Sequence, residues 1–130
     1  PVGLTANSFT SLSLDPPLLL VCIAKTASSL PALEAAEHFA VNVLHIGQQP
    51  TSNLFARSGE DRFSATPWQR GHNDAPLLSG ALANFECRRH ALHDGGDHVI
   101  LIGEVVRARF EPRRDPLLYF RGKYRRLHFA

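Results

Sequence analysis

The sequence predicts one mainly β domain, an antiparallel barrel with short peripheral helices. Two long strand-like segments, residues 81–92 and 98–110, flank an Asp-Gly-Gly-Asp turn at residues 94–97, and such a pair forms an antiparallel hairpin. The continuous apolar run of residues 18–24 predicts a further strand, buried on both faces. A doubly wound α/β fold requires regularly alternating helices, and the C-terminal half of the sequence lacks that pattern.

The composition is ordinary for a globular domain and excludes several classes of protein. Hydrophobic residues make up 44% of the 130 residues, charged residues 20%, and the formal net charge is +2. Two cysteines are too few for a disulfide scaffold, and the apolar content is too high for a disordered chain. The longest apolar stretch, residues 18–24, is too short to span a membrane, and no signal peptide is recognisable, so we expect a cytoplasmic protein.

The N-terminal part of the chain is expected to hold two strand segments separated by a turn-rich stretch. Residues 1–5 are typical of the end of a strand, whereas residues 6–17 are small, polar and rich in turn-forming residues. The Asp-Pro-Pro sequence at residues 15–17 disfavours a helix, because each proline biases the preceding residue away from helical geometry. The buried strand 18–24 follows directly.

Two short helices and another strand are predicted next. The polar loop 25–29 leads into a helix over residues 30–39, with Ser29 as its N-cap. A strand over residues 39–46 follows, and a second helix over residues 50–58 ends before a glycine.

Between the second helix and the hairpin, residues 60–76 have a loop-like composition. After the hairpin, residues 113–116 predict a turn, and residues 117–129 form an aromatic C-terminal segment. We therefore expect about five strands and two short helices in a single domain.

The sequence lacks the common catalytic and metal-binding motifs. The seven histidines are scattered without zinc-ligand spacing, so no metal site is expected. Neither a G-x-S-x-G elbow nor a G-x-x-x-x-G-K-S/T loop occurs, which argues against hydrolases and P-loop enzymes. The G-x-G-x-x-G motif is also missing, so a Rossmann turn would not hold a dinucleotide here.

Two short polar loops flank the predicted buried strand. The first is Thr5-Ala6-Asn7-Ser8, and the second is Lys25-Thr26-Ala27-Ser28-Ser29, which leads into the first helix. Small residues let a ligand approach backbone N–H groups, and a helix N-terminus preceded by Ser, Thr and Lys suits a phosphate. The alternative is that both loops are ordinary serine-rich turns.

Over nearly its whole length the chain resembles the short-chain flavin reductase family, the NAD(P)H:flavin oxidoreductases that serve two-component monooxygenases. Five segments match in the same order, although none is decisive alone. They are residues 3–18 (GLTANSFTSLSLDPPL), 24–29 (AKTASS), 39–44 (FAVNVL), 96–105 (GDHVILIGEV) and 116–124 (PLLYFRGKY).

The resemblance implies an FMN-binding split β-barrel, usually a homodimer. The implied activity is hydride transfer from NADH or NADPH to FMN or FAD, and the reduced flavin would supply a partner monooxygenase. The sequence separates neither FMN from FAD nor NADH from NADPH. The resemblance also implies that the family's first helix and first strand precede Pro1.

The resemblance assigns flavin-binding residues to three parts of the ligand. They are Thr5, Ala6, Asn7 and Ser8 at the isoalloxazine edge, largely through their backbone groups, with Ser13 nearby, Ala24, Lys25 and Thr26 along the ribityl chain, and Ser28 and Ser29 at the phosphate. Asn42, a polar residue in an apolar strand, either serves the same site or makes a hydrogen bond within the barrel.

His98 opens the strand 98–110 directly after the turn and is the candidate catalytic residue. In the family the Gly-Asp-His motif places a histidine near the flavin ring and the nicotinamide, so His98 would bind the nicotinamide amide or shape the hydride-transfer pocket. Tyr119, Arg121 and Tyr124 would border the same cleft on the nicotinamide side. The alternatives are a structural turn residue for His98 and core packing for Tyr119.

Positive charge is concentrated between Arg107 and Arg126. Eight basic residues minus two acidic ones give a local charge of +6, which leaves −4 for the rest of the chain. This patch could attract the phosphates of NAD(P)H, steer a partner enzyme, or be a solvated face. Nucleic-acid binding is not expected, because a strong binder usually presents a broad basic face.

Two other functions remain open from the sequence. One is a split-barrel module that binds flavin without reductase activity, such as a carrier or sensor. The other is a split-barrel oxidase acting on pyridoxine phosphate or haem. The Gly-Asp-His and Ser-Leu-Asp-Pro-Pro segments favour the reductase branch.

Overall fold

The computed structural model describes residues 1–57, 59 and 61–128 of the chain. The described elements are β1 (Phe9–Leu14), β2 (Pro17–Ala24), α1 (Leu30–Ala35), β3 (His38–Val43), a 3₁₀ helix (Ile46–Gln48), α2 (Gln49–Phe55), β4 (Trp68–Arg70), β5 (Pro76–Leu78), β6 (Ala83–Gly95), β7 (His98–Phe110), β8 (Leu118–Phe120) and β9 (Lys123–Arg125). Strands dominate and the helices are short, which confirms the predicted mainly β class.

Five of the described strands form one antiparallel sheet in the order β1-β2-β7-β6-β3. The hairpins β4–β5 and β8–β9 are separate two-stranded sheets. The predicted long hairpin is confirmed as β6–β7, and β7 has the predicted bounds. β6 continues to Gly95, so the turn consists of Gly96 and Asp97, with Gly96 at a φ of +78° that favours glycine.

β2 carries the apolar run of the sequence and pairs with β7 from Leu18 opposite Glu104 to Ala24 opposite His98. On one face Leu19 and Ile23 are buried and belong to the main core cluster. Burying each such side chain stabilises the fold by roughly 1.5–3 kcal/mol. The other face of β2 is only partly buried, so the expectation of burial on both faces is wrong.

Gly103 in β7 makes room for the ring of Phe39 from β3. A Cβ at position 103 would clash with that ring and would lie 2.9 Å from the Cβ of Cys87 in β6. Both Phe39 and Cys87 are buried. Burial raises the pKa of the Cys87 thiol to about 12, so this side chain is a neutral packing group at neutral pH.

The N-terminal strand lies later in the chain than the sequence predicts. Residues 1–5 form no strand, and β1 begins at Phe9, inside the stretch predicted as turns. The Thr5 N–H donates to the Phe55 carbonyl at 3.1 Å, which ties the N-terminal segment to α2 instead of to a strand. Pairing with β2, starting at Phe9 opposite Val21, overrides the turn-like composition of β1.

Both helices are shorter than predicted. α1 ends four residues early, because the chain is extended at Ala36 and β3 pairs with β6 from His38 onward. Phe39 is therefore a strand residue. α2 ends at Phe55, and Ser58, the predicted end, lies outside the described residues. In the described part of the chain, no helix is long and apolar enough to cross a membrane.

The segment predicted as a loop over residues 60–76 contains β4 and the start of β5, although Glu60 itself is outside the described residues. Its apolar content is low, but aromatic packing orders it: the Trp68 ring lies edge-on to Phe63 at 5.5 Å between centroids, and Phe63 lies edge-on to Phe55 at 5.0 Å. The C-terminal aromatic segment forms β8–β9, and Phe129, its predicted end, is outside the described residues.

Replacing Gly103 by alanine is expected to lower the free energy of unfolding by about 1–3 kcal/mol, because the new methyl group overpacks the core against Phe39. Urea denaturation of the two proteins measures this loss. Adding Phe39→Leu removes the clashing ring edge. The double variant should therefore lose less free energy of unfolding than the two single variants lose in sum. An unchanged unfolding midpoint for G103A would contradict this packing account.

Candidate functional site

The N-terminal segment that precedes β1 is fastened between the two helices. The Ser29 Oγ at the start of α1 donates to the Gly3 carbonyl at 3.0 Å. The Thr5 Oγ1 donates to the Ser52 carbonyl in α2 at 2.6 Å, in addition to the Thr5 N–H bond to Phe55. The loop of residues 5–8, which we call the first loop, is therefore held beside the start of α1.

The first loop joins the sheet at Ser8, whose carbonyl accepts from the Cys22 N–H at 2.9 Å. Cys22 lies two residues before Ala24, which is about 7 Å along a strand. The loop of residues 25–29, which we call the second loop, begins directly after Ala24. The two predicted polar loops therefore lie side by side at one end of β2.

Both loops contain backbone donors that are unpaired within the protein. Among the described residues, the backbone N–H groups of six loop residues have no protein acceptor: Ala6, Asn7, Ser8, Thr26, Ser28 and Ser29. Five of these residues are exposed, and Ser29 is buried. Unpaired N–H groups next to a helix start can donate to carbonyl, ring-nitrogen or phosphate acceptors of a ligand.

The register of β2 with β7 brings His98 to the end of β2 where the second loop begins. Ala24 lies opposite His98, and the Lys25 N–H donates to the Asp97 carbonyl at 2.9 Å. A hydrogen bond of 2.7 Å joins the Asp97 Oδ1 to the His98 Nδ1. The second loop and the candidate catalytic histidine are thus adjacent, as the sequence-based hypothesis requires.

One ion pair and one histidine–carboxylate hydrogen bond shape the charge at this end of the sheet. The Lys25 ammonium binds the Asp94 carboxylate, and that hydrogen bond lowers the pKa of Asp94 below its usual range. The His98 hydrogen bond likewise lowers the pKa of Asp97. The stabilisation from lowered carboxyl pKa values is present above the ordinary carboxyl pKa and is lost as the pH falls below it. Both carboxylates are exposed, so this stabilisation is small.

Ser29 and Asn42 use their side chains within the protein. The Ser29 hydroxyl is committed to Gly3, so toward a phosphate this residue offers its backbone N–H. The Asn42 Nδ2 donates to the Pro76 carbonyl at 3.2 Å, while its Oδ1 accepts from Leu78 N at 3.0 Å and Asn84 Nδ2 at 2.6 Å. Asn42 therefore makes hydrogen bonds within the protein, which was the alternative to a role in ligand binding. These bonds link β3 to β5 and β6.

The three residues expected on the nicotinamide side, Tyr119, Arg121 and Tyr124, all belong to the β8–β9 hairpin but differ in their contacts. A hydrogen bond of 2.7 Å joins the Tyr124 hydroxyl to the Ser52 Oγ, so Tyr124 contacts the residue that holds Thr5. Tyr119 is about half exposed and packs edge-on against Tyr124, so it is not a core residue. Arg121 occupies the β8–β9 turn at a φ of 55°. In the described part of the chain, no hydrogen bond, ion pair or ring contact joins these three residues to His98.

Sequence reasoning missed Ser52, a buried serine within α2. Its carbonyl and hydroxyl connect the first loop to the C-terminal hairpin, 47 and 72 residues away in sequence. No local pattern marks such a serine, because its partners lie far away along the chain. Among the described residues, no group of three or more His, Cys, Asp or Glu side chains is placed to hold a metal ion.

Comparison with known proteins places this arrangement in a family. The family described as "Flavin reductase like domain" matches residues 1–128. The stachydrine N-demethylase reductase subunit of Rhizobium meliloti is 50% identical over 95% of this chain and 54% of its own length. The NADH-dependent FAD reductase of Streptomyces globisporus is 45% identical over 97% of this chain and 72% of its own length.

Solved structures agree with these sequence matches. The NADH:FAD oxidoreductase of Streptomyces globisporus, in complex with NAD and FAD fragments, superposes with a TM-score of 0.93 and 43% identity, covering 98% of this chain and 81% of that one. Component B of nitrilotriacetate monooxygenase from Mycobacterium thermoresistibile gives a TM-score of 0.94 at 41% identity, covering 98% and 73%. The chain spans about half the length of some curated relatives, 54% and 40% for two from Rhizobium meliloti.

The hydrogen bond between Tyr124 and Ser52 is expected to hold the first loop in place. Changing Tyr124 to phenylalanine removes that bond and should speed hydrogen exchange of the Thr5 amide about fivefold, for a loss of about 1 kcal/mol. Tyr119→Phe is the matched control, because its hydroxyl makes no hydrogen bond to another described residue. Equal Thr5 exchange rates in Y124F, Y119F and the unchanged chain would show that the loop is held without this contact.

Proposed function

The chain belongs to the flavin reductase-like domain family, and on that premise we propose that it is an NAD(P)H:flavin oxidoreductase. It transfers a hydride from NADH or NADPH to FMN or FAD. The observation that carries this proposal is the pair of adjacent loops with unpaired N–H groups, the second of which begins beside His98. The reductase names of its relatives support the same assignment.

The two loops fit the two polar ends of a flavin. The unpaired N–H groups of residues 6–8 can donate to the carbonyl oxygens and ring nitrogens along one edge of the isoalloxazine. Those of Thr26, Ser28 and Ser29, in the loop that leads into α1, can donate to the phosphate. The ribityl chain would cross the short gap between the loops, past Ala24. When bound, the flavin supplies the hydride acceptor; the chain supplies its position and orientation.

We infer that His98 positions the nicotinamide. When its Nδ1 donates to the Asp97 carboxylate, its Nε2 is an acceptor that faces away from that pair. The carboxamide N–H of a nicotinamide could then donate to Nε2. His98 acts by orienting the hydride donor, and no separate proton moves in the hydride-transfer step itself.

We also propose that the sheet curls into the split barrel expected from the sequence. The rings of Phe9 in β1 and Phe85 in β6 lie 6.1 Å apart between centroids. These strands are three positions apart in the sheet order, which in a flat sheet would separate them by about 14 Å. A contact at 6.1 Å therefore supports a strongly curved sheet.

Delivery of reduced flavin to a partner monooxygenase is part of the proposal. Several relatives are named as reductase subunits or components of monooxygenases or demethylases. The exposed position of both loops supports the same role, because a flavin bound at the surface can leave after reduction.

Flavin-dependent oxidation of NADH is the direct test. Adding FMN or FAD to the protein with NADH should cause a loss of the near-ultraviolet NADH absorbance, and His98→Ala should reduce kcat/KM for NADH about tenfold or more, since one hydrogen bond to the substrate is lost. The flavin Kd should change little. His93→Ala, on the neighbouring strand of the same hairpin, is the control and should retain activity.

Two results would contradict the proposal in different ways. Flavin binding without NADH oxidation would support the non-catalytic carrier or sensor. Full activity in H98A would leave the reductase assignment intact and remove the role given to His98.

We further propose that the chain forms a homodimer. Leu14, Val106 and Phe110 are 95%, 52% and 71% exposed, and exposed apolar groups of this size favour an interaction surface. Light scattering should give twice the 14.4 kDa chain mass, and Phe110→Asp should shift the protein toward the monomer. A monomeric mass for the unchanged chain at high concentration would refute the dimer.

A further inference from the structure

A cavity lies between the β4–β5 hairpin and the paired ends of β6 and β7. It has a volume of about 240 Å³, and its lining includes Arg70, Asn84, Glu86, Arg107 and Arg109. This volume is below the range of sites for drug-sized ligands, about 300–1,000 Å³, so the cavity suits a small molecule. Arg107 lies nine residues beyond His98, about 30 Å along β7, so the cavity is separate from the proposed flavin site.

The β4–β5 hairpin packs directly on the Glu86 carboxylate. The Asn73 side chain, in the turn of the hairpin, donates to the Cys87 carbonyl of β6 at 3.2 Å. The turn is closed by the Gly71 N–H, which donates to the Ala75 carbonyl at 2.9 Å. A Cβ at position 71 would clash with the Glu86 Oε1, so the close approach requires glycine. The cavity is therefore a fixed part of the fold.

Glu86 is a buried carboxylate with few partners. Its side chain is 5% exposed. Among the described residues, Oε1 accepts one long hydrogen bond, from the Asn73 N–H at 3.4 Å, and Oε2 accepts none. The Arg107 Nε is 3.7 Å from Oε2, which is beyond hydrogen-bond distance.

The Glu86 Oε2 is open to the cavity. In the described part of the chain, every fully enclosed polar side-chain atom has a hydrogen-bond partner, and Oε2 has none, so Oε2 is not fully enclosed. A buried carboxylate without close donors is costly. This oxygen therefore favours a ligand that brings a positively charged donor.

Three exposed arginines line the same cavity, namely Arg70, Arg107 and Arg109. The Arg70 guanidinium forms no ion pair with another described residue, and it lies 6.0 Å from the centre of the Trp68 ring. Arg109 donates through one Nη to the Asn84 Oδ1 at 3.0 Å, which leaves its other N–H groups without an acceptor among the described residues. Guanidinium groups with unused donors bind carboxylates well.

We propose that this cavity binds a small amino acid, with its ammonium group on Glu86 and its carboxylate on the arginines. The ammonium donates to the free Oε2, and Arg107 holds the carboxylate together with Arg70 or Arg109. Because the Glu86 Oε2 and the Arg107 Nε are only 3.7 Å apart, the two charges of the ligand must also be close together. An α-amino acid carries both charges on one carbon. A simple anion would leave the Glu86 carboxylate without a donor.

The proposed dimer surface lies on the other face of β7. Successive side chains of a strand point to opposite faces, so Arg109 and Phe110 face in opposite directions. The cavity is on the face of Arg109, under the β4–β5 hairpin. The inference is therefore independent of the homodimer and of the reductase function proposed above.

The test begins with the isotope-labelled chain, which is titrated with each standard amino acid in turn while amide chemical shifts locate the binding. Acetate and ethylammonium each carry one of the two charges and serve as ligand controls. For the amino acid that binds most tightly, the Kd is then measured for the unchanged chain and for single variants. The Kd for FMN is measured in the same proteins.

The variants are Glu86→Gln, Arg70→Ala and the control Arg113→Ala. Glu86→Gln keeps the size of the side chain and removes its charge. Arg70 is exposed, so Arg70→Ala should fold even if the buried change at Glu86 prevents folding. Arg113 is also exposed, does not line the cavity, and its loss changes the net charge in the same direction as the loss of Arg70.

We expect the amino acid to shift the amides of residues 69–72 and 107–109 and to leave residues 6–8 and 26–29 unchanged. Glu86→Gln should weaken its binding about tenfold or more, and Arg70→Ala about fivefold, because each loses a charge-assisted hydrogen bond. Arg113→Ala should bind the amino acid like the unchanged chain. The Kd for FMN should stay within about twofold in all variants.

The proposal is overturned if no standard amino acid binds, if acetate binds as tightly as the best amino acid, or if the folded variants at Glu86 and Arg70 keep the unchanged Kd. Shifts at residues 69–72 that follow protein concentration instead of amino-acid concentration would assign the cavity to a second copy of the chain and would also overturn it. Failure of the reductase function is seen separately, as a lack of flavin-dependent NADH oxidation.

Discussion

The antiparallel pairing of β2 with β7 is the constraint on which the candidate site depends. Its register places Ala24 opposite His98, so that the loop leaving β2 and the histidine opening β7 are neighbours. The register is set by burial, because Leu19, Ile23, Val99 and Leu101 share one core cluster. A slip of one residue would turn these side chains outward and would separate the second loop from His98.

Contacts between residues far apart in the sequence position the rest of the site around that pair of strands. Gly103, opposite Leu19, leaves space for Phe39, which brings β3 over the same core. The first loop reaches the second because residues 3–5 bond to Ser29 on one side and to α2 on the other. Polar groups on both loops are then left for a ligand, since the core and the helices already fix the loops' positions.

The sequence predicted the elements whose pattern is local. The apolar run predicted β2, and two strand-like segments that flank an Asp-Gly-Gly-Asp turn predicted the β6–β7 hairpin with the bounds of β7. The prediction from sequence was wrong where strand pairing determines the local structure. β1 has a turn-like composition and is a strand because β2 pairs with it. α1 stops early because β6 pairs with β3 from His38 onward. The short hairpin β4–β5 was missed because aromatic packing, not strand alternation, orders it.

The candidate site was predictable to a similar degree. The two loops and His98 were identified from residue types and a family resemblance, and the structure places them together. Ser52 and its bonds to Thr5 and Tyr124 were not predictable, because they join residues 47 and 72 positions apart. Asn42 was ambiguous in sequence, since a polar residue in an apolar strand can face a ligand or another strand.

The central claim is that the two loops and His98 form one flavin site. Amide chemical shifts of the isotope-labelled chain during titration with FMN test this claim directly. The account predicts that residues 6–8, residues 26–29 and His98 shift together and with one common Kd. Shifts confined to residues 69–72 and 107–109, or shifts at the two loops with unrelated affinities, would contradict it.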